Sequence, residues 1–335
     1  MTSSVSSSRS IGVLGLGRSG RASVQFLLDS GCHVVAWDQG RVALEGVELW
    51  DGPLPVQRFH QCEAILLSPG IPRTHPGVAE LIGNNIPVIN DCEWLFRQLQ
   101  AQTPPPEFVA ITGTNGKSTV TTLVGEMLTV AGIATATGGN LGQAALSLWH
   151  RDIRSYVLEL SSFQLESMDR FRANSAALLN ISPDHMDRYP NLQAYLDAKL
   201  AIFRNQMPGD SAVINTDDPG LWPAAPGVFR DGVEVIGFSI EHPVPGGVYV
   251  QDGWLIDHRR GDRVPILETA RIRIQGRHNL ANAAAAAALA LGRGARHQIV
   301  AHVLESFPGL PHRMQWVRMV NGVDFYNDSK GTNVG

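Results

Sequence analysis

The chain has 335 residues, enough for two domains, or two and part of a third, each with its own hydrophobic core. Hydrophobic residues make up 44% and charged residues 17%, which is ordinary for globular proteins and excludes a largely disordered chain. The formal net charge of -4 gives no basic surface, so no nucleic acid is expected as a partner. No apolar run approaches the roughly 20 residues of a membrane span, and the Ser-rich start lacks the apolar segment of a signal peptide. We therefore expect a cytoplasmic protein that acts as a monomer without membrane contact.

The three cysteines are Cys32, Cys62 and Cys92, and their flanking residues share no pattern. The odd number and the lack of a CxxC motif argue against a disulfide framework or a zinc site. We expect reduced, buried thiols.

The first hundred residues alternate short apolar runs with helical patterns. Predicted strands are 11–17, 33–38, 63–70 and 86–90, with a helix at 21–31. Strands separated by helices predict an α/β domain with a parallel sheet, Rossmann-like, over residues 1–103. The proline-rich run 103–107 predicts a stiff extended linker after it.

A second α/β domain is predicted over 104–310. Its predicted elements are strands at 107–113, 156–161 and 175–182, a β-rich stretch at 235–276, and an Ala-rich helix at 278–292. The run Pro308-Gly309-Leu310-Pro311 marks a second boundary. Residues 311–335 then begin a third domain with two strands, and we expect the chain to stop soon after that domain begins.

A first glycine loop lies between a predicted strand and a predicted helix. Gly15, Gly17 and Gly20 fit the G-x-G-x-x-G pattern, and Asp38 ends the next strand, where a dinucleotide fold places its ribose-binding acid. Tight turns and free N–H groups at a helix N-terminus suit any diphosphate. The loop therefore predicts a diphosphate site, and it leaves an NAD-dependent dehydrogenase open.

A second glycine loop gives a more specific signal. Its predicted ATP-binding residues are Gly113, Thr114, Asn115, Gly116, Lys117, Ser118 and Thr119. Backbone N–H groups would wrap a triphosphate, Lys117 would reach the outer phosphates, and Ser118 would ligate Mg²⁺. Ile111 stands where the general pattern has its first glycine, but the GKST core between a strand and a helix disfavours a chance turn.

A series of motifs, in order, resembles the Mur ligases, in particular those that add D-glutamate. The motifs are GLGRSG (15–20), SPGIP (68–72), TGTNGKST (112–119), GGNLG (138–142), LELSSFQLE (158–166), SPDHMDRY (182–189), AKL (198–200), GRHNLAN (276–282), GLPHR (309–313) and NDSKGTNVG (327–335). The resemblance covers nearly the whole chain. It implies a P-loop ATPase-type central domain with a β-rich extension, and a C-terminal domain of which only the start is present.

The resemblance also implies a reaction. ATP would phosphorylate the terminal carboxylate of UDP-N-acetylmuramoyl-L-alanine, and the amine of D-glutamate would attack the acyl phosphate to give ADP and phosphate. Phosphoryl transfer between two anions needs cations more than covalent chemistry. Another Mur-type or folylpolyglutamate-type ligase remains an alternative, as does a nucleotide-binding fragment that is inactive alone.

Six residues carry the predicted catalytic and metal-binding roles: Lys117 and Ser118 of the second glycine loop, and four more whose roles the resemblance implies. Glu159 would ligate the Mg²⁺ that Ser118 also binds, and His185 would bind a second Mg²⁺ near the acceptor carboxylate. Lys199 would be carbamylated by CO₂, which turns a cation into an anionic oxygen ligand. Lys330 would neutralise the transferred phosphoryl group.

The remaining implied residues bind nucleotides and substrate. Asn140 and Ser161 would line the muramoyl region, and Asn279 and Asn282 would face adenine, although N-capping competes for Asn279. Contacts to ATP would come from Arg313, Asp328 and Thr332, and contacts to the UDP part from Arg18, Ser19, Asp38, Ser68, Pro69 and Gly70. The chain departs from the family after Asp38, where Gln39-Gly40 replaces Thr-Arg; Arg41 is the candidate substitute.

Overall fold

The computed structural model describes residues 9–140, 142–222, 227–313 and 315–330. Contacts between residues divide the chain into two compact units. Unit 1 comprises the residues up to Pro106 with Gly138–Ile153 and Leu160–Arg172, and unit 2 comprises Glu107–Thr137, Arg154–Glu159 and the residues from Ala173 onward. Among the described residues, no helix is both long and apolar enough to cross a membrane.

Within the described residues, the strands form three sheets. The strands are β1 (Ser10–Leu14), β2 (His33–Trp37), β3 (Glu48–Trp50), β4 (Ala64–Leu67), β5 (Val88–Ile89), β6 (Glu107–Thr112), β7 (Thr135–Gly139), β8 (Ser155–Glu159), β9 (Ser175–Leu178), β10 (Ser211–Asn215), β11 (Glu234–Ser239), β12 (Val248–Gln251), β13 (Trp254–Asp257), β14 (Val264–Glu268), β15 (Gln315–Val320) and β16 (Val323–Asn327). The helices are α1 (Arg18–Asp29), α2 (Pro76–Gly83), α3 (Asp91–Leu99), α4 (Lys117–Val130), α5 (Ser162–Leu165), α6 (Leu192–Leu200), α7 (Arg277–Gly292) and α8 (His297–Ser306).

Unit 1 holds a five-stranded parallel sheet in the order β3-β2-β1-β4-β5. Its strands are short apolar runs, such as the AILL of β4, because both faces of a parallel sheet are buried. Strands β1 and β4 are neighbours but not consecutive in sequence. The connections diverge at that point, and the crevice at the carboxyl ends of these strands is where such sheets bind ligands.

A buried carboxylate anchors helix α3 within unit 1. Glu93 is fully buried and accepts backbone N–H bonds from Asp169, Arg170 and Phe171 at 2.7–3.2 Å. Arg97, one turn later, donates to the same carboxylate at 2.6 Å. The segment 169–171, distant in sequence, is thereby fixed to this helix.

Unit 2 is built on a nine-stranded sheet in the order β14-β13-β12-β11-β10-β9-β6-β8-β7. Its central strands are parallel, whereas β12, β13 and β14 pair in antiparallel fashion. Helix α7 is buried from Asn282 to Leu291 because its alanines allow close packing around it, and α4 packs against it. The predicted α/β class with a β-rich extension is confirmed.

The predicted β-rich stretch 235–276 ends earlier than expected. Its last strand is β14, a short 3-10 helix covers Thr269–Arg271, and residues 272–276 form no strand. Ile272 and Ile274 are nevertheless buried in the core. The alternation of apolar and polar residues here therefore reflects the burial of an irregular segment. The two strands predicted after residue 311 are present as the hairpin β15–β16, whose strand residues are almost all exposed.

Candidate active site

The glycine loop of unit 1 is held by contacts that only glycine permits. Gly15 has φ +88°, and a Cβ on Gly20 would lie 1.8 Å from the Gly15 carbonyl oxygen. Ser68 donates its hydroxyl to that same oxygen at 2.7 Å. The loop therefore turns sharply out of β1 and presents the N-terminus of α1, which favours anions.

The Asp38 carboxylate accepts hydrogen bonds from two backbone N–H groups, one of which belongs to this loop. One carboxylate oxygen accepts the Leu16 N–H at 2.6 Å, and the other accepts the Gly40 N–H at 2.9 Å. In a dinucleotide site the corresponding acid is expected to bind a ribose hydroxyl. Here both carboxylate oxygens already accept hydrogen bonds from backbone N–H groups, which weakens the interpretation of the motif as an NAD site.

A cavity of about 420 Å³, the glycine-loop cavity, lies beside this loop. It brings together eight of the residues predicted to hold the UDP part: Gly15, Gly17, Arg18, Ser19, Asp38, Ser68, Pro69 and Gly70. Gly20, the third glycine of the predicted diphosphate loop, is not among the residues that line it. The cavity is also lined by five residues that were not predicted: Trp37, Gln39, Ile71, Pro72 and His75. Their positions directly beside the predicted motifs are the signal that could have found them.

Arg41 lies outside the residues that line this cavity. Its side chain is 98% exposed and stands 3.9 Å from the Asp51 carboxylate. Gln39, two residues earlier, does line the cavity.

Asn140 and Ser161 also belong to unit 1. Arg18 donates to the Asn140 carbonyl oxygen at 3.0 Å, which joins the glycine loop to the segment after β7. Ser161 caps α5 in a reciprocal capping box with Gln164, so it has an evident structural role.

The second glycine loop connects β6 to α4 in unit 2. Gly113 has φ +149° and Gly116, the N-cap of α4, has φ +83°. A Cβ on Gly116 would lie 2.2 Å from the Asn282 amide oxygen, so Asn282 packs directly against the loop. Asn180 accepts the Asn115 N–H at 2.8 Å and fixes the loop from the other side.

Two lysines converge on one carbonyl of this loop. Lys117 donates to the oxygens of Gly113 and Thr114 at 2.9 and 2.7 Å, and Lys199 donates to the Gly113 oxygen at 2.8 Å. Burial lowers the pKa of both amines, and the neighbouring Lys117 charge lowers the pKa of Lys199 further. Two buried cations beside each other favour an anion between them.

An oxygen pair suited to Mg²⁺ lies beside the lysines. Ser118 donates its hydroxyl to the nearly buried Glu159 carboxylate at 2.7 Å, and Arg313 stands 3.5 Å from the same hydroxyl. Within the described ranges, no group of three or more His, Cys, Asp or Glu side chains could hold a metal. The pair fits Mg²⁺, which usually keeps waters and binds one or two protein oxygens together with phosphate oxygens.

His185 and Lys199 flank a residue that the sequence did not single out. The Lys199 nitrogen lies 4.5 Å from the centre of the Tyr195 ring, and the His185 ring meets Tyr195 edge-on at 6.1 Å. Tyr195 is buried. Its position one turn before Lys199 on α6 was the available signal.

The adenine-side asparagines lie in the first turns of α7. This helix begins at Arg277 with Gly276 as its N-cap, so N-capping by Asn279 is wrong. Asn279 instead donates to the Gln275 carbonyl oxygen at 2.8 Å and accepts from Asn282 at 3.3 Å.

No hydrogen bond or ion pair joins Lys330 to the phosphate loop among the described residues. Its backbone N–H donates to the His312 carbonyl oxygen at 3.1 Å, and its exposed side chain makes no hydrogen bond or ion pair with the described residues. Asp328 is exposed just after β16. Thr332 and Leu141, which belongs to the GGNLG motif, lie outside the described residues.

Two family descriptions match the chain. Residues 9–90 match the Mur ligase MurD-like N-terminal domain, and residues 111–290 match the Mur ligase middle domain. The chain belongs to the Mur ligase family. This membership sets aside the NAD-dependent dehydrogenase, since Mur ligases are ATP- and Mg²⁺-dependent peptide ligases of peptidoglycan synthesis.

Curated relatives agree with this assignment, and a solved structure has a similar fold. The chain is 40% identical to the UDP-N-acetylmuramoylalanine--D-glutamate ligase of Methylobacillus flagellatus, over 96% of this chain and 71% of the relative. It is 39% identical to the enzyme of that name from Trichlorobacter lovleyi, over 96% and 73%. The UDP-N-acetylmuramate:L-alanyl-gamma-D-glutamyl-meso-diaminopimelate ligase of Neisseria meningitides has a similar fold, with a TM-score of 0.63 at 17% identity, covering 91% of this chain and 99% of that one.

Proposed function

We propose that this chain joins D-glutamate to UDP-N-acetylmuramoyl-L-alanine, using ATP and forming an acyl phosphate. The observation that carries the proposal is that Lys117 and Lys199 both donate to the Gly113 carbonyl oxygen, while Ser118, the residue after Lys117, donates to the Glu159 carboxylate. The names of the relatives at 39–40% identity supply the substrates. Both nucleotides and the reaction belong to the cytoplasm, where we expect the chain to act as a monomer.

The residues of unit 2 divide the phosphoryl-transfer work. Lys117 and Arg313 supply positive charge that stabilises the transferred phosphoryl group, and the α4 N-terminus offers N–H groups to phosphate oxygens. Ser118 and Glu159 would hold Mg²⁺, which neutralises phosphate charge. The adenine contacts are assigned to Asn279 and Asn282, and further contacts to Asp328 and Lys330.

Unit 1 would hold the acceptor nucleotide. The diphosphate fits the glycine loop at the N-terminus of α1, with Arg18 as the nearby cation. Asn140 and Ser161, both in unit 1, are assigned to the muramoyl-alanine portion. His185, which belongs to unit 2, is proposed as a substrate-binding residue and as a ligand of a second Mg²⁺.

Lys199 is proposed to act as a carbamate. A neutral buried amine attacks CO₂, its nitrogen forms a bond to carbon, and a proton leaves to solvent. The product is anionic, so the repulsion between Lys199 and Lys117 becomes an attraction. An oxygen ligand for Mg²⁺ also replaces a cation that would repel it.

Phosphate release tests the reaction. The chain is incubated with ATP, Mg²⁺, UDP-N-acetylmuramoyl-L-alanine and D-glutamate, and the nucleotide product is identified by mass. We expect release that requires both substrates and is lost in Lys117→Ala. Product formed only with another acceptor or amine would favour the alternative of another Mur-type ligase. If phosphate release does not depend on the substrates, the proposal that the chain is a ligase is contradicted.

The carbamate has a readout independent of activity. The sequence contains three lysines, Lys117, Lys199 and Lys330, so ¹³C-bicarbonate labelling gives a simple spectrum. We expect a carbamate carbon signal that survives in Lys330→Ala and disappears in Lys199→Ala. A signal that persists without Lys199, or no signal in the unchanged chain, would refute the carbamate and leave the ligase proposal standing.

A further inference from the structure

The start of helix α3 holds a glutamine of the distant helix α5. The Asn90 side-chain amide donates to the Gln164 carbonyl oxygen at 2.5 Å, and the Gln164 side-chain amide donates to the Cys92 sulfur at 3.5 Å. More than seventy residues separate Gln164 from these partners, and all three residues are at most 1% exposed. Both the backbone and the side chain of Gln164 are therefore fixed from α3.

Gln164 in turn holds Ser161, the N-cap residue of α5. The Gln164 side-chain oxygen accepts the Ser161 N–H at 3.0 Å and the Ser161 hydroxyl at 3.1 Å, and the Gln164 N–H donates to that hydroxyl at 3.2 Å. Because the Ser161 N–H can only donate, the carboxamide has to turn its oxygen to Ser161 and its nitrogen to Cys92. The contact with Cys92 and the contact with Ser161 therefore depend on each other.

Cys92 is suited to accept this hydrogen bond. Burial, and after it the neighbouring Asp91 carboxylate, raise the pKa of the Cys92 thiol well above its ordinary value, so the sulfur stays protonated and uncharged. A neutral thiol sulfur is a weak acceptor. Without it, the Gln164 nitrogen would be a buried donor lacking its acceptor, which is unfavourable. The carboxamide would then leave its place opposite Ser161 to reach another acceptor.

Ser161 is the partly exposed end of this series of contacts. Its hydroxyl proton is committed to the Gln164 side chain, and one of its two lone pairs accepts the Gln164 N–H. The contacts among the described residues leave the other lone pair for a ligand. Ser161 is thereby held as a hydrogen-bond acceptor, which suits an N–H group of a ligand.

We propose that Cys92 and Asn90 are positioning residues of the acceptor site: through Gln164 they hold Ser161 ready to accept an N–H group from the muramoyl-alanine portion of the acceptor nucleotide. The inference rests on the proposed function for the identity of that ligand. Both residues act through Gln164, so neither has to touch the nucleotide.

Calorimetric binding of UDP-N-acetylmuramoyl-L-alanine and of UDP, which lacks the muramoyl-alanine portion, tests this assignment. Cys92→Val removes the acceptor and keeps a side chain of similar size. It should weaken binding of the acceptor nucleotide roughly 5-fold, the equivalent of one hydrogen bond, and leave UDP affinity unchanged. Cys92→Ser, which keeps an acceptor, should restore most of the affinity. Asn90→Ser keeps an N-cap for α3 but removes the amide donor, and it should show the same selective loss as Cys92→Val.

The control is Cys62→Val, the same change at a buried cysteine of unit 1 that packs in the core of the five-stranded sheet. It should bind both nucleotides like the unchanged chain. A second readout needs no ligand: the side-chain amide signals of Gln164 in ¹⁵N-glutamine-labelled chain, assigned with Gln164→Leu. These signals should move in Cys92→Val and stay in place in Cys62→Val.

Undiminished affinity for the acceptor nucleotide in Cys92→Val, or an equal loss for UDP, would overturn the inference and leave the ligase proposal intact. A loss in Cys92→Ser as large as in Cys92→Val would also overturn it, because the acceptor at this position would then have no effect. An unchanged chain that binds no acceptor nucleotide would contradict the proposed function itself. Gln164 signals that do not move in Cys92→Val would overturn the positioning role whatever the nucleotide does.

Discussion

The two alanine substitutions Gly20→Ala and Gly17→Ala test how the glycine loop is built. Both glycines belong to the same motif, but the structure predicts opposite results. At Gly20 the new Cβ would lie 1.8 Å from the Gly15 carbonyl oxygen and 3.1 Å from the Ser68 hydroxyl. At Gly17, which has φ -66°, a Cβ meets nothing within 4 Å.

The magnitude follows from these contacts. The atom approached at Gly20 is backbone, so it cannot rotate away, and overpacking of this kind typically costs about 1–3 kcal/mol. Moving Gly15 also breaks its 2.7 Å hydrogen bond from Ser68, which adds about 0.5–1.5 kcal/mol. We expect Gly20→Ala to lose roughly 2–4 kcal/mol, whereas Gly17→Ala should stay within about 0.5 kcal/mol of the unchanged chain.

Urea denaturation combined with hydrogen exchange of β1 and β2 amides measures this difference locally, which avoids assuming that both units unfold together. Exchange should accelerate in Gly20→Ala and not in Gly17→Ala, and UDP affinity should fall with it. Equal stability of the two variants would refute the argument that close approach to Gly15 requires glycine at position 20.

Three further substitutions test other parts of the chain. Lys117→Ala should weaken binding of an ATP analogue roughly 10- to 100-fold by calorimetry, because a charge-assisted hydrogen bond to phosphate contributes about 1.5–3 kcal/mol; unchanged affinity would remove the phosphate-loop assignment. Glu93→Ala should cost about 3–5 kcal/mol in denaturant unfolding, since it leaves three backbone N–H groups without their acceptor and removes one of the two carboxylate partners of the half-buried Arg97. The exposed control Glu80→Ala should cost less than about 0.5 kcal/mol. Asp257 is affected first by burial, which raises its pKa, but hydrogen bonds from Arg259 and His297 bring the pKa below its ordinary value. The contribution of Asp257 to stability is therefore present above about pH 4 and is lost as the pH falls further. Asp257→Asn should be about 1–3 kcal/mol less stable than the unchanged chain at pH 7, and this difference should shrink as the pH falls below about 4. A stability difference that does not change with pH would contradict this interpretation.

Local features were predictable from the sequence, and features that depend on distant packing were not. The two glycine loops were found because their spacing dictates a turn between a strand and a helix, and the apolar runs gave β1, β2, β4 and β5. Glu93 was missed because an acid in the first turn of a helix looks like a solvated residue. Its partners at 169–171 lie more than seventy residues away, and no spacing rule connects them.

The candidate site shows the same division. Lys117 could be assigned from its motif. The role of Lys199 came only from the resemblance, and its hydrogen bond to Gly113, 86 residues away in sequence, was not predicted. The end of the β-rich stretch was placed too late because the alternation of apolar and polar residues at 270–276 reflects burial and not strand pairing. The roles proposed for individual site residues stay predictions.

The arrangement of the two lysines suggests why this loop should discriminate strongly between occupants. Lys117 and Lys199 share the Gly113 carbonyl oxygen, and burial of both disfavours their charged forms. An anion that enters the loop gains its own attraction to the amines and also relieves their mutual repulsion. The two effects add, so affinity should rise steeply with the negative charge of the phosphate chain. ADP, with one phosphate fewer than ATP, should therefore bind distinctly more weakly, and carbamylation of Lys199 should reduce this difference because it removes one of the two cations.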